Sequence, residues 1–361
     1  MIAAQYTQGA SAAEGRFAVR DVPVPTIAAD EMLLRIDAAS ICGTDVKIIQ
    51  HGHRKLTSGQ TITLGHEFVG IIEKRGPRVP GFREGHRVGI APNMGLPGSE
   101  MVARGMANMD PGYTAFGITQ DGAHTEYLRV TPLAIEQGNV MAIPDGVRSL
   151  DATLAEPLSC CVNAMRTTRV ERGDSVVVIG AGPMGLLNMM LARAQGAAEV
   201  IAVDLNDARL AKARQLGASH AVNTANTSLR SWITERTRGR GVDVVINAVP
   251  VAALQQDLLE ILAPFGRLCL FAGWPKGAAA VPLDTNPIHY KNLVVTGMTG
   301  GCNRDYAAAL DLIATKAVDV SQVVSDVVHV SHLQKAYDIA LAGKGMKIVI
   351  TAHASEECIR S

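Results

Sequence analysis

Three short stretches carry residue types that bind metal. They are Cys42-Gly43-Thr44-Asp45, Gly65-His66-Glu67 and Glu156-Pro157. Zinc takes thiolate, imidazole and carboxylate ligands in a tetrahedral site, and a catalytic zinc keeps one position open. Cys42, His66 and Glu156 would supply three ligands and leave the fourth open. Asp45 could accept from the second ring nitrogen of His66 and fix its tautomer, while Glu67 reads either as an outer partner or as an alternate ligand. Each residue also has a plain reading. A single buried cysteine is often a small apolar side chain. A single histidine is often a hydrogen-bonded structural residue. A glutamate such as Glu156 can sit at a helix N-terminus, stabilised by the dipole. The joint occurrence favours a metal.

A second kind of chemistry is marked by Gly180-Ala181-Gly182-Pro183-Met184-Gly185. An apolar run precedes it and a helical stretch follows. Gly180 permits the tight turn, Gly182 lets the backbone approach a pyrophosphate, and Gly185 lets helix and strand pack closely. Free N–H groups at the helix start, from Met184 onward, would face phosphate charge, while Pro183, which has no N–H, sits in the first turn. A second apolar run ends at Asp204, where an acid would meet the adenosine ribose hydroxyls and repel a 2′-phosphate. That argues for NAD over NADP. Arg209 stands close enough in sequence to soften the repulsion.

The elements that must position these residues change in texture near residue 150. Before it, strands are predicted at 17–25, 31–38, 68–73 and 86–90, punctuated by glycine and proline, which suits an all-β barrel. After it, strands at 175–179, 199–203, 221–222, 242–248, 267–272 and 293–297 alternate with helices at 184–195, 208–216, 228–237 and 251–262. Alternation of this kind gives an α/β, doubly wound parallel sheet. Beyond 300, a helix at 305–314, strand and turn at 319–330, a helix at 333–341 and a strand at 347–351 return to the first domain.

These motifs, with Gly65-His66-Glu67-Phe68-Val69-Gly70, Asp121-Gly122-Ala123-His124-Thr125-Glu126-Tyr127 and Glu156-Pro157-Leu158, occur in an order that resembles the zinc-containing medium-chain dehydrogenases of the alcohol dehydrogenase superfamily. The polyol (sorbitol or L-iditol) branch is the most similar, with threonine dehydrogenase close by. The resemblance implies a GroES-like β-barrel catalytic domain at 1–149 and 301–361 and a Rossmann domain at 150–300. It implies one catalytic zinc, NAD, and oxidation of a secondary alcohol of a polyol or sugar. Two alternatives stand beside this: an amino-alcohol dehydrogenase of the threonine kind, and a nucleotide-binding protein with an inactive metal site. The hydroxyl of Thr44 would touch the alcohol. The resemblance implies a proton relay from Thr44 through the cofactor ribose to His51, with His53 or Glu67 as competitors. Substrate hydroxyls would meet Thr44, His66, Glu67, His124 and Glu156, although His124 could equally be a core histidine. Trp274 either walls the cleft or packs at the sheet edge.

Many relatives hold a second, structural zinc on four cysteines. The corresponding positions are Leu96, Ser99, Val102 and Asp110, so no such zinc is expected. Met94, Met101, Met106 and Met109 either pack this lobe adaptably or leave it a loose surface loop. The resemblance further implies a homodimer or homotetramer through the strand at 293–297.

Bulk properties agree with a packed globular enzyme. Of 361 residues, 47% are hydrophobic and 19% charged, and 34 basic residues balance 34 acidic ones. That balance excludes a basic nucleic-acid or membrane surface. The N-terminus lacks a signal-peptide pattern, and six scattered cysteines do not read as a disulfide framework. Cytoplasmic residence follows as the expectation.

Overall fold

A computed structural model of the chain describes residues 1–251, 254–274 and 280–352. It divides into two compact units, residues 1–159 with 301–316 and 320–361, and residues 160–300 with 317–319.

The second unit is built on six parallel strands. In spatial order they are His220–Asn223, Glu199–Asp204, Ser175–Ile179, Val242–Asn247, Leu262–Leu270 and Val294–Gly297. The order reverses beside the first of them in sequence, Ser175–Ile179, which is the dinucleotide-binding topology. Strands buried on both faces read as continuous apolar runs, and Val176 to Ile179 are all buried. The strand expected at 267–272 begins earlier, at Leu262, so the helix expected at 251–262 is only Gln255–Glu260. Residues 252–253 of that expected helix lie outside the described residues.

The helix Ala155–Thr168 places Glu156 at a helix N-terminus, one of the two readings of that residue. Pro157 lies in its first turn, where a missing N–H costs nothing.

The first unit holds a seven-stranded sheet centred on Met32–Ser40, which pairs antiparallel with Glu67–Arg75, with Tyr127–Val130 and with Lys347–Thr351. The C-terminal strand therefore does return to this unit. A smaller sheet pairs Ile2–Thr7 with Arg16–Asp21 and Thr61–Thr63. The second of these strands stops at Asp21 rather than reaching residue 25, because Pro23 and Pro25 cannot donate to a ladder. Met32, Leu34, Phe68, Ile90 and Phe116 form one apolar core. Another, around Ile48, Leu64, Leu333 and Tyr337, lies under the helix Leu333–Leu341. Among the described residues no helix is long and apolar enough to cross a membrane.

Candidate metal centre and dinucleotide turn

Cys42 follows the central strand by two residues and caps the helix Gly43–His51. His66 immediately precedes the strand Glu67–Arg75. Strand pairing places Ser40 opposite Glu67, so the two ligand-bearing segments emerge side by side. The Cys42 sulfur, a His66 ring nitrogen and a Glu67 carboxylate oxygen all lie within 4.8 Å of one another. Zinc bonds of 2.0–2.3 Å hold tetrahedral ligand atoms roughly 3–4 Å apart, so this donor set fits zinc. The third member of the group is Glu67, read from the sequence as an outer partner or alternate ligand beside Glu156.

Asp45 serves both ligands. Its Oδ2 accepts the Cys42 backbone N–H at 2.8 Å, and its Oδ1 lies 3.4 Å from His66 Nδ1. Burial alone would raise the Asp45 carboxyl; the His66 imidazole more than offsets this and holds it below its ordinary range. Burial would likewise depress His66, but Asp45 and then Cys42 hold it well above its usual value. With Nδ1 turned to Asp45, the other nitrogen is left for a metal.

Glu67 is fully buried, and its two oxygens each lie 2.5 Å from Lys347 Nζ. The Ser40 hydroxyl also donates to it. Burial would lower the Lys347 ammonium, but Glu67 more than offsets that and raises it. Sequence reasoning passes over Lys347. The available signal was a lysine heading the otherwise apolar strand Lys347–Thr351, every residue of which is buried. Glu156 stands in the first turn of its helix, also buried, and its charge helps to raise Lys347 and Tyr306. Thr44 is half-buried in the first turn of the Cys42 helix, and His51 is exposed at the end of that helix. His53 is half-buried, with its backbone N–H on Gln8.

In the second unit, Gly180 has φ +93°, and a Cβ there would meet Val249 at 2.5 Å. A Cβ on Gly185 would meet the Gly180 carbonyl oxygen at 1.7 Å, so close packing demands glycine. A Cβ on Gly182 would enter open space, the room a pyrophosphate needs. Gly182 caps the helix Pro183–Ala194 with Pro183 in its first turn. Asp204 ends the second strand, and its Oδ2 accepts the Ala181 N–H at 2.7 Å. Arg209 Nη1 is 4.0 Å from the same oxygen. These residues fit a dinucleotide.

Residues 28–145 match the alcohol dehydrogenase GroES-like domain, and residues 183–315 match the zinc-binding dehydrogenase family. A sorbitol dehydrogenase of Halalkalibacterium halodurans is 30% identical over 342 residues, covering 93% of this chain and 96% of its own length. The chain belongs to the zinc-containing medium-chain dehydrogenases of the alcohol dehydrogenase superfamily. An L-threonine 3-dehydrogenase of Anaeromyxobacter dehalogenans is 29% identical, covering 93% of this chain and 95% of its own. Among solved structures, a protein assigned as a zinc-binding dehydrogenase from Sinorhizobium meliloti 1021, bound to NADP, superposes with TM-score 0.86 at 26% identity. That match covers 97% of this chain and 99% of the other.

This dehydrogenase ties its lobe together without thiolates. Asp110, buried at the fourth cysteine-like position, accepts from the Leu96 N–H at 3.3 Å and the Gly112 N–H at 2.7 Å. Ser99 hydrogen-bonds the same carboxylate and holds it below its ordinary range. Ser99 Oγ in turn accepts the Val102 N–H at 3.2 Å. The four positions Leu96, Ser99, Val102 and Asp110 are thus joined by hydrogen bonds. The methionines divide: Met94 belongs to the barrel core, Met101 and Met106 are half-buried, and Met109 is exposed. Asp110→Ala should raise cleavage within residues 96–112 in limited proteolysis while leaving zinc per chain unchanged. A fall in zinc content would show that the lobe holds metal after all.

The substrate-facing reading of His124 requires correction. His124 is wholly buried, with one ring nitrogen 2.6 Å from the Tyr337 hydroxyl and the other 3.2 Å from the Ser40 carbonyl. Both nitrogens are committed, so neither can read a substrate hydroxyl. Trp274 is half-buried, and Pro275 beside it lies outside the described residues.

Proposed function

We propose that this dehydrogenase oxidises a secondary hydroxyl of a polyol or sugar to a ketone, with NAD as hydride acceptor and a single zinc ion. The observation that carries the reading is the convergence of Cys42, His66 and Glu67 within 4.8 Å. A second buried acid, Glu156, whose field reaches Lys347, and the sorbitol dehydrogenase relative support the substrate class. Zinc would be held by Cys42 and His66 with a carboxylate from Glu67 or Glu156. When bound it supplies Lewis acidity at the alcohol oxygen, and the nicotinamide supplies the hydride acceptor.

The protein's own residues do the rest. Asp45 holds the His66 tautomer and closes the Cys42 turn. Thr44 accepts a hydrogen bond from the substrate hydroxyl, and the exposed His51 passes the released proton to solvent. Seven residues of helix separate the two, roughly 10 Å at 1.5 Å per residue. They are ends of a route rather than a bonded pair.

Activity should appear as NADH formation with at least one polyol or sugar and vanish on zinc chelation. Activity on threonine alone would favour the amino-alcohol reading, which the threonine dehydrogenase relative supports. Protein that binds no zinc would leave only a nucleotide binder. Asp204→Ser should shift kcat/KM about tenfold or more toward NADP, a change of about 1.4 kcal/mol. A wild-type preference for NADP would overturn the NAD assignment, and Arg209 beside Asp204 would explain it.

Self-association belongs to the same proposal. Val294–Gly297 is an edge strand, with Val294 52% and Val295 37% exposed. An unpaired apolar edge invites pairing with a second copy. Light scattering should give a dimer or tetramer, and a monomer would refute it.

A further inference from the structure

His124 sits where two segments meet. Its ring donates from Nε2 to the carbonyl of Ser40, two residues before Cys42, at 3.2 Å. Its backbone N–H donates to the carbonyl of Leu64, two residues before His66, at 2.8 Å. The neighbouring Ala123 N–H donates to the Gly65 carbonyl at 2.9 Å. The imidazole also lies flush on the His66 segment. A Cβ on Gly65 would meet His124 Cδ2 at 2.5 Å, and Gly65 has φ +98°, so only glycine accommodates the ring.

The tautomer follows from the two partners. A carbonyl oxygen only accepts, so Nε2 carries the proton. Nδ1 then accepts from the Tyr337 hydroxyl at 2.6 Å. Tyr337 is fully buried on the helix Leu333–Leu341 and stacks edge-on to the ring at 5.5 Å. Burial disfavours the charged imidazole and outweighs the nearby Asp45. One neutral, doubly bonded ring therefore clamps both ligand-bearing segments, and the C-terminal helix fixes its orientation.

We propose that His124 is a positioning residue of the metal centre: held in its Nε2–H form by Tyr337, it ties the Cys42 segment to the His66 segment and so sets the spacing of the two ligands. The proposal rests on the zinc reading above. It assigns His124 no contact with substrate.

The test uses full-length protein, apo and then loaded with zinc or cobalt(II). His124→Phe keeps an aromatic ring against Gly65 but removes both side-chain hydrogen bonds. His124→Gln keeps a donor able to reach the Ser40 carbonyl. Tyr337→Phe removes only the tautomer lock. The expected result is a shift in the thiolate-to-cobalt and ligand-field bands of His124→Phe, with zinc affinity at least about tenfold weaker in chelator competition. His124→Gln should restore most of both, and Tyr337→Phe should give a smaller shift in the same direction. Wild-type bands and zinc affinity in His124→Phe would overturn the proposal, whether or not thermal stability falls. A raised KM for substrate with an unchanged metal centre would overturn it too, in favour of a substrate contact. If His124→Phe does not fold, Tyr337→Phe decides, and wild-type spectra in that variant defeat the proposal. Wild-type protein that takes up neither metal would instead defeat the zinc reading itself.

Discussion

Lys347→Met should destabilise the protein by about 3–5 kcal/mol, read as a fall in denaturant midpoint. Glu67 has no exposed surface, and the Lys347 side chain is 4% exposed. In zinc-free protein, removing the ammonium leaves a buried carboxylate with the Ser40 hydroxyl as its side-chain partner. The cost is that of an unpaired buried charge, not the value of the pair. Lys347→Met with Glu67→Gln should therefore recover much of the loss. The sign with pH follows from Lys347. Its ammonium is raised above the ordinary 10.5 in the fold, so its contribution is complete below that value. It is lost only as pH rises through the higher folded value. The gap between wild type and Lys347→Met should stay constant through neutral pH and narrow in strong alkali. A gap of less than about 1 kcal/mol at neutral pH would mean that Glu67 finds another partner or a proton.

Cys42→Ala should abolish zinc retention and lower kcat/KM by about 10³-fold or more. A Lewis acid contributes several kcal/mol of charge stabilisation at the transition state, and each 1.4 kcal/mol is tenfold in rate. Cys42 is the one cysteine in the cluster, and its turn is already closed by Asp45 through the 2.8 Å bond to its backbone N–H. The substitution therefore removes a ligand without undoing the helix start. Metal analysis and steady-state rates with the best polyol measure both effects. Full zinc occupancy with undiminished activity in Cys42→Ala would place the ion elsewhere. Normal stoichiometry with lost activity would make Cys42 a tuning ligand only. NAD affinity, measured by fluorescence quenching, should be unaffected, because the glycine turn belongs to the other compact unit.

The dinucleotide half was legible because its signals are local. Apolar runs of five or six residues, glycines at fixed offsets and an acid at a strand end all belong to one stretch of chain. The structure returns them as Ser175–Ile179, the turn at Gly180–Gly185 and Asp204. Boundaries slipped where tertiary context overrode local signals. Leu262 joined a strand rather than the preceding helix, and the strand expected to reach residue 25 stopped at Asp21.

By itself the sequence determined the residue types at the centre. Cys42, Asp45, His66 and Glu67 are chemically suited to zinc, and their order matches a dehydrogenase. The family resemblance, with Leu96, Ser99, Val102 and Asp110 at the four cysteine positions, implied that the lobe holds no four-thiolate site. Only the tertiary structure brought Glu67 beside Cys42 and His66, because antiparallel pairing sets Ser40 against Glu67 across 27 residues of chain. Only the tertiary structure brought Lys347 to Glu67 across 280 residues, and Tyr337 to His124 across 213. Sequence spacing carries no information about such contacts. They exist because a buried polar atom must find a partner, and the nearest partner in space is set by the sheet, not by the chain.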